Sequence, residues 1–355
     1  MPDREGPMTD TSTDSVEHRP AVRAAVELAA AGAVLPAPLA EAAMDELMDG
    51  QAPPTQVAAL LAILRLRGET PEELAAFARV MRARAVRVEA PDGTVDLCGT
   101  GADGAGTFNI STLAAFVTAG AGVPVAKHGN RAVTSRSGSA DLVEALGIPL
   151  DPGPAAVARR VREIGFGFIF APAYHPAMKH AMPIRRDLPI RTAFNLLGPI
   201  SSPAGVRRQL LGVAEPGLLP LLAGALARLD TERALVVHSG DGLDELSLAG
   251  PTRALLVEGQ GISELEVDPA RFGLRHAAAD ALAGGDAQLN AAIALSVLGG
   301  EPGAARDVVV LNAGAAIYVA GRAADVGEGV EAAVAAVDSG AAAEVVDASA
   351  RAVDG

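Results

Sequence analysis

Between residues 94 and 267 short apolar runs alternate with helical stretches, and no other feature of the chain constrains its fold as strongly. Runs at 95–98, 123–126, 166–170, 208–213, 234–238, 254–257 and 262–267 have the length and composition of strands. Helical patterns begin near Ser111 and cover 140–146, 287–298, 307–320 and 326–338. A strand followed by a helix re-enters a sheet parallel to the first strand, which puts helices on both faces. Residues 89–355 are therefore expected to form an α/β domain with a mostly parallel central sheet.

The preceding segment obeys a different period. Val22, Ala25, Val26 and Leu28, then Leu39, Met44, Leu47 and Met48, then Val57, Leu60, Leu61 and Leu64 recur at helical spacings. Gly50, Pro53, Pro54 and Gly68 punctuate them into three or four short helices. Thr70 before Pro71, Glu72 and Glu73 supplies a hydroxyl cap, a first-position proline and acids at the positive helix end. Residues 20–88 thus read as a small all-helical domain, suited to packing or dimerisation. The Pro- and Arg-rich stretch 174–200 is expected to return the chain to it. Residues 1–19 are polar and acidic and read as a disordered leader without the apolar core of a signal peptide.

Charge and rare residues narrow the function. A net charge of −14 argues against nucleic-acid binding, which rests on neutralising phosphates. A phosphorylated small molecule needs only a local basic pocket. No apolar run reaches the roughly 18 residues of a membrane helix. The single cysteine, Cys98, fits a reducing cytoplasm and reads as a small buried strand residue. Positive charge is carried by arginine except at two lysines, Lys127 and Lys179, which suggests that a compact ammonium matters there. Asparagine occurs only at Asn109, Asn130, Asn195, Asn290 and Asn312, and the first three fall in Gly-rich or basic segments.

Four segments carry chemistry. In DLCGTGADG, Gly99, Gly101 and Gly104 allow backbone N–H groups to approach an anion closely. Asn109, Ser111 and Thr112 then stand at a helix start, where free N–H groups favour phosphate. The second segment, KHGNRAVTSRSGSAD, reads as a loop after a strand, with Lys127, Arg131, Arg136 and several hydroxyls suited to a polyanion. The third holds HPAMK, then Arg185, Arg186, Arg191 and Asn195. The fourth, HSGDGLDELS, sets Asp244 beside Glu245; from a loop both can turn inward, and hard oxygens beside a phosphate site suit Mg2+.

Together these segments resemble the anthranilate phosphoribosyltransferases, in order and from about Val22 to the C-terminus. The matching stretches are GTGADG, TFNIST, KHGNRAVTSRSGSADLVEALG, HPAMK, RTAFNLLGP and DGLDELS, with GGDAQLNA and RDVVVLNAGAAIYVAG in the C-terminal helices. The resemblance implies a helical domain beside an α/β domain of the nucleoside phosphorylase and phosphoribosyltransferase-like kind, usually in a homodimer. It implies transfer of the phosphoribosyl group of phosphoribosyl pyrophosphate (PRPP) to the amine of anthranilate, with Mg2+, in tryptophan biosynthesis.

The same resemblance assigns PRPP contacts to Gly99, Ala102, Asp103, Thr107, Asn109, Ile110, Ser111 and Thr112. It assigns further ones to Lys127, His128, Gly129, Asn130, Arg131, Ala132, Val133, Thr134, Ser135 and Ser139. Ser111, Asp244 and Glu245 match metal ligands, and Gly99, Asn130 and Arg185 match anthranilate contacts, with His128 and His175 nearby. Gly198 and Pro199 match a hinge and wall of the anthranilate tunnel, and Gly240 and Gly242 match turn residues presenting the acids. No residue is assigned as general base. Three positions depart from the family pattern: Ala102 and Pro189 replace glycines, and Ser202 replaces asparagine. None removes a charged ligand, and the glycines flanking Ala102 are expected to take the unusual backbone angles. A pyrimidine nucleoside phosphorylase of the same fold gives no reason for the Asp244–Glu245 pair. A non-catalytic nucleic-acid-binding paralogue conflicts with the acidic charge.

Overall fold

The computed structural model describes residues 20–101, 103–132 and 136–352. The expectations for residues 1–19, Ala102, Val133, Thr134 and Ser135 lie outside that set. Four helices come first: α1 (Ala21–Ala30), α2 (Ala37–Met48), α3 (Pro54–Arg67) and α4 (Pro71–Ala83). Thr70 caps α4 as its sequence requires: its hydroxyl accepts from Glu73 N at 3.3 Å and Glu73 Oε2 accepts from Thr70 N at 2.9 Å. Glu73 does more than cap. It is fully buried, pairs with Arg67, and accepts from Leu35 N at 2.8 Å. One carboxylate thus ties the start of α4 to the end of α3 and to the connection after α1.

The α/β region opens with β1 (Val95–Gly99), α5 (Ile110–Gly120), β2 (Val125–Gly129), α6 (Ser139–Ala145), α7 (Pro154–Glu163) and β3 (Phe166–Phe170). Short helices α8 (Ala171–Tyr174), α9 (Met182–Asp187) and α10 (Ala193–Leu197) follow. Then come β4 (Arg208–Gly212), α11 (Leu218–Leu226), β5 (Arg233–Ser239), β6 (Thr252–Glu258) and β7 (Gly261–Val267). The last four helices are α12 (Ala287–Leu298), α13 (Ala304–Val319), α14 (Val326–Asp338) and α15 (Ala341–Arg351). The sheet order is β3-β2-β1-β4-β5-β6-β7, parallel through β5, with β6 and β7 added as an antiparallel hairpin.

Side chains alternate across this sheet. Leu235 and Val237 join a core with α5 and α12 to α15, while Ala234 and Val236 join a second core with α11 and the buried faces of α1 to α4. Ala181, Ala193, Phe194, Leu197 and Ile200 belong to the second core, with α9 packed on α3 and α10 on α3 and α4. The stretch 174–200 therefore does come back to the helical region.

Two readings need correction. The second strand begins at Val125 rather than Val123, because Pro124 has no N–H for the ladder while its carbonyl accepts from Val95 N at 2.9 Å. It also runs on to Gly129, so Lys127, His128 and Gly129 are strand residues, not part of the loop after it. Helices α7, α11 and α15 were not anticipated. In α11, LLPLLAGAL is buried on almost every side and so carries no helical period. No helix of the described residues is long and apolar enough to cross a membrane.

Candidate active site

Strands β1 and β4 are neighbours, yet the chain leaves β1 toward β2 and β3 and leaves β4 toward β5. Such a reversal opens a crevice beyond the carboxyl ends of the strands. Two paired glycines form its floor, Gly99 of β1 opposite Gly212 of β4. A Cβ on Gly99 would lie 2.3 Å from Asp244 Oδ2, and one on Gly212 would lie 1.6 Å from the Asp244 carbonyl oxygen. Asp244 is thus seated directly over the switch point. Gly101, at φ +65°, donates its N–H to Asp244 Oδ2 at 2.7 Å, so the glycine before Ala102 takes the left-handed angle as expected.

Glu245 reaches the start of α5, where its Oε1 accepts from Ser111 N at 3.2 Å. The Ser111 hydroxyl in turn receives Lys127 Nζ at 3.3 Å. Lys127 is buried and donates also to the Leu97 carbonyl at 2.6 Å, while Asp96 Oδ1 accepts from His128 N at 3.1 Å. Beyond the Val95–Val125 pair, then, two side chains stand in for ladder bonds between β1 and β2. Burial raises the Asp96 carboxyl to about 7. Burial, and then repulsion from Asp103, raises Asp244; burial, and then repulsion from Asp244, raises Glu245. Around Lys127 the carboxyls outnumber the one ammonium. That excess, with the Ser111 hydroxyl alongside, fits a hard divalent cation. Among the described residues no three His, Cys, Asp or Glu side chains form a metal cage, so the arrangement suits an ion shared with a ligand's oxygens.

The loop carrying the acids is fixed from behind. Asn312, fully buried on α13, accepts from Leu246 N at 3.0 Å and donates to Leu246 O and Val308 O, each at 2.9 Å. Sequence marked Asn312 by rarity and by its place in the RDVVVLNAGAAIYVAG stretch, without showing this role. Gly242, at φ +91°, makes the turn before the acids, and Ser247 Oγ donates to Asp241 Oδ2 at 2.7 Å.

After β2 the chain forms a second loop. Asn130 N donates to Ser139 Oγ, and the Ser139 hydroxyl donates back to the Asn130 carbonyl, both at 3.2 Å. Asp141 Oδ2 collects Ala132 N at 3.1 Å and Gly138 N at 2.8 Å. The Arg131 guanidinium lies at the surface, bound to Asp141 at 2.8 Å and Glu144 at 2.9 Å. Lys179 is exposed with no ion pair among the described residues, so the argument from lysine rarity holds for Lys127 alone. Thr107 bridges Ala283, while Ile110 and Thr112 are buried, their N–H groups donating to the Phe108 carbonyl at 2.8 Å and the Asn109 carbonyl at 3.1 Å. Asp103 Oδ1 accepts from Ala105 N at 3.2 Å.

On the other side of β2 the rings of His128 and His175 lie 5.2 Å apart, centroid to centroid. Burial pushes His128 down to about 3, helped by His175, and His175 down to about 4. The Gly198 and Ser201 carbonyls face the two rings, and both Nε2 atoms are buried without a partner among the described residues. Both imidazoles are therefore neutral at pH 7, with Nε2 free to accept. Arg185 is partly buried with its Cζ 5.4 Å from the Phe194 ring centroid, and no carboxylate pairs with it among the described residues. Gln209, which sequence did not single out, donates to the Pro199 carbonyl at 2.6 Å and so fixes the main chain after α10. Burial pushes the Cys98 thiol well above its usual value, which removes it as a nucleophile.

The histidines carry a pH signature. Their folded pKa values lie below the unfolded value of about 6.5, so between about pH 6.5 and 4 the unfolded chain binds protons that the native state refuses. As pH falls through that window, the wild type is expected to lose stability relative to a His128→Gln/His175→Gln variant, by on the order of 1 kcal/mol per histidine per pH unit. The difference between the two proteins isolates the imidazoles from Asp96, Asp244 and Glu245, whose raised values act in the opposite sense. Urea unfolding at a series of pH values measures it, and parallel curves would refute it.

The crevice with its acids and buried ammonium lies in an α/β domain beside a helical bundle, and both parts match a glycosyl transferase family. The family model described as "Glycosyl transferase family, a/b domain" matches residues 91–343, and "Glycosyl transferase family, helical bundle domain" matches residues 25–85. The chain belongs to the anthranilate phosphoribosyltransferase family. It is 55% identical over 322 residues to the anthranilate phosphoribosyltransferase of Rubrobacter xylanophilus, covering 90% of this chain and 94% of that one. It is 53% identical over 317 residues to that of Thermomicrobium roseum, covering 88% and 91%. The crystal structure of the Thermus thermophilus enzyme superposes with a TM-score of 0.87 at 46% identity, over 92% of this chain and 99% of that one. The Saccharomyces cerevisiae enzyme in complex with PRPP and Mg superposes with a TM-score of 0.84 at 27% identity, over 92% and 96%.

Proposed function

We propose that the protein transfers the phosphoribosyl group of PRPP to the amine of anthranilate, giving N-(5-phosphoribosyl)anthranilate and pyrophosphate in tryptophan biosynthesis. The observation that carries this reading is the Asp244–Glu245 pair, the first buried and the second partly so, held against the Gly101 and Ser111 amides beside Lys127. The PRPP contacts would be Gly99, Ala102, Asp103, Thr107, Asn109, Ile110, Ser111 and Thr112, the segment from Lys127 to Ser135, and Ser139. Asp244, Glu245 and the Ser111 hydroxyl would hold Mg2+, which supplies positive charge to the leaving pyrophosphate. Lys127 adds the protein's own cation to the same place. Pyrophosphate is a good leaving group once neutralised and an aromatic amine needs no strong base, so electrostatic stabilisation and orientation suffice.

The acceptor site lies toward Asn130, Arg185, His128 and His175. Arg185, lacking an acidic partner among the described residues, would take the anthranilate carboxylate through paired N–H groups. The neutral Nε2 atoms of His128 and His175 would accept a hydrogen bond or proton from the amine side. A homodimer through the helical domain is part of this reading, supported by Leu66 and Val34, which are 86% and 49% exposed there. So is a cytoplasmic location, and a boundary between helical and α/β domains near residue 88.

The direct test is loss of anthranilate fluorescence with PRPP, in the presence and absence of Mg2+. Turnover that requires all three supports the proposal, and its absence from folded protein overturns it. A finer result is expected of Arg185→Ala. The anthranilate KM should rise about tenfold to a hundredfold while the PRPP KM changes little, since a charged hydrogen bond contributes about 1.5–3 kcal/mol. Equal rises in both constants would place Arg185 outside the acceptor site.

A further inference from the structure

Asn290, in the GGDAQLNA stretch, is 2% exposed and touches a residue 181 positions earlier in the chain. The segment before it runs as a strap along the loop that leads into α5. Thr107 bridges Ala283 in the antiparallel sense, Phe108 N donates to Leu282 O at 3.1 Å, and Gly284 N donates to Gly106 O at 2.9 Å. A Cβ on Gly284 would stand 2.5 Å from Phe108 N, so the strap lies flat against the loop. Where it ends, Gly285 N donates to Asn290 Oδ1 at 2.8 Å. Asn290 Nδ2 then donates to Asn109 Oδ1 at 2.9 Å, and Asn109 Nδ2 donates to the Ser137 carbonyl at 3.2 Å.

These three bonds run head to tail, from the strap through the residue before α5 to the loop that follows β2. The sequence of donors and acceptors fixes the orientation of both side-chain amides. In a buried setting, aligned bonds of this kind reinforce one another. An apolar residue at position 290 would strand the Gly285 N–H and Asn109 Oδ1. Aspartate would satisfy Gly285 but turn an oxygen on Asn109 Oδ1, and rotating the Asn109 amide would only move the conflict to Ser137 O. The chain of bonds needs an amide at both positions.

We propose that Asn290 is a positioning residue for the phosphoribosyl donor: through Asn109 it sets the spacing between the loop entering α5 and the loop after β2. The inference rests on the donor site described under the proposed function. Asn290 touches neither substrate, so its removal should loosen the grip on the donor without altering acceptor recognition.

Steady-state kinetics of Asn290→Ala, with PRPP and anthranilate varied separately, test this. The PRPP KM is expected to rise about tenfold or more, with the anthranilate KM and kcat within about threefold of wild type. The Asn109→Ala/Asn290→Ala double variant should be no worse than Asn109→Ala alone, since the second change breaks a link already lost. An unchanged PRPP KM, equal changes in both KM values, or fully additive effects in the double variant would overturn the inference. If Asn290→Ala does not accumulate as folded protein, Asn290→Asp, which preserves volume, is measured with the same expected split. No turnover by the wild type with PRPP, anthranilate and Mg2+ would overturn the functional reading instead, which keeps the two failures distinct.

Discussion

Changing Asp244 and Glu245 together to alanine is expected to lower turnover by more than about 10³-fold while the protein remains folded. Removing a single electrostatic stabiliser of a developing charge typically costs about 10²- to 10³-fold, and here both carboxylates of the proposed cation site are lost. Their effect on stability has the opposite sign. Burial raises both carboxyls, with repulsion from Asp103 adding at Asp244 and from Asp244 adding at Glu245, so the native state binds protons more readily than the unfolded chain. Without a cation, each therefore destabilises the fold as pH rises from about 4 through neutrality, and their removal should leave thermal stability at pH 7 unchanged or higher. Adding Mg2+ and pyrophosphate should raise the melting temperature of the wild type but not of the double variant. Turnover within about tenfold of wild type, a difference of ~1.4 kcal/mol, would remove the pair from the mechanism.

The parts of the molecule legible in sequence are those governed by local chemistry. Phe166–Phe170, Ala287–Leu298 and Val326–Asp338 emerge with the ends expected, because each is a clean apolar run or helical period between strong breakers. The Thr70 capping box was legible for the same reason: four adjacent residues determine it. What was hidden depends on partners distant in the chain. Lys127 looked like a loop cation because nothing local shows that its ammonium will be drawn beneath β1 to Leu97 O. Arg131 looked available until the fold brought Asp141 and Glu144 against it. Asn290 and Asn312 were conspicuous as rare residues within family-like stretches, with nothing local to show what they bond. Their roles appear when α12 and α13 pack behind loops 181 and 66 residues away. The motif residues themselves were visible because glycines, hydroxyls and paired acids have few structural reasons to occur together.

Gly212 is the plainest case of a site residue that sequence does not reveal, one glycine among 39 with no motif around it. Gly212→Ala is expected to reduce kcat/KM by about 10²-fold or more. The added methyl carbon would stand 1.6 Å from the Asp244 carbonyl oxygen, a distance that no rotamer adjustment relieves because both atoms are fixed by backbone. Either β4 withdraws from β1, breaking the Gly99–Gly212 pairing, or the main chain at Asp244 lifts away from the crevice. The second course is the easier, since five strands share the parallel ladder while the acid loop is held by fewer bonds, from Asn312, Ser239, Gly101 and Ser111. A shift of about 1 Å in a catalytic group can cost about 10²-fold, and this clash demands more than that. Overpacking also costs about 1–3 kcal/mol of stability, so a control must separate the two effects. Gly224→Ala serves, because its methyl would meet Pro71 Cγ at 2.9 Å, between α11 and α4 and away from the crevice. That variant should melt at a lower temperature yet keep kcat/KM within about threefold of wild type, measured well below its transition. If Gly212→Ala loses no more activity than Gly224→Ala at matched stability, Asp244 is not held in place by the glycine floor. The seat of the acid pair would then have to lie in the bonds from Asn312, Gly101 and Ser111.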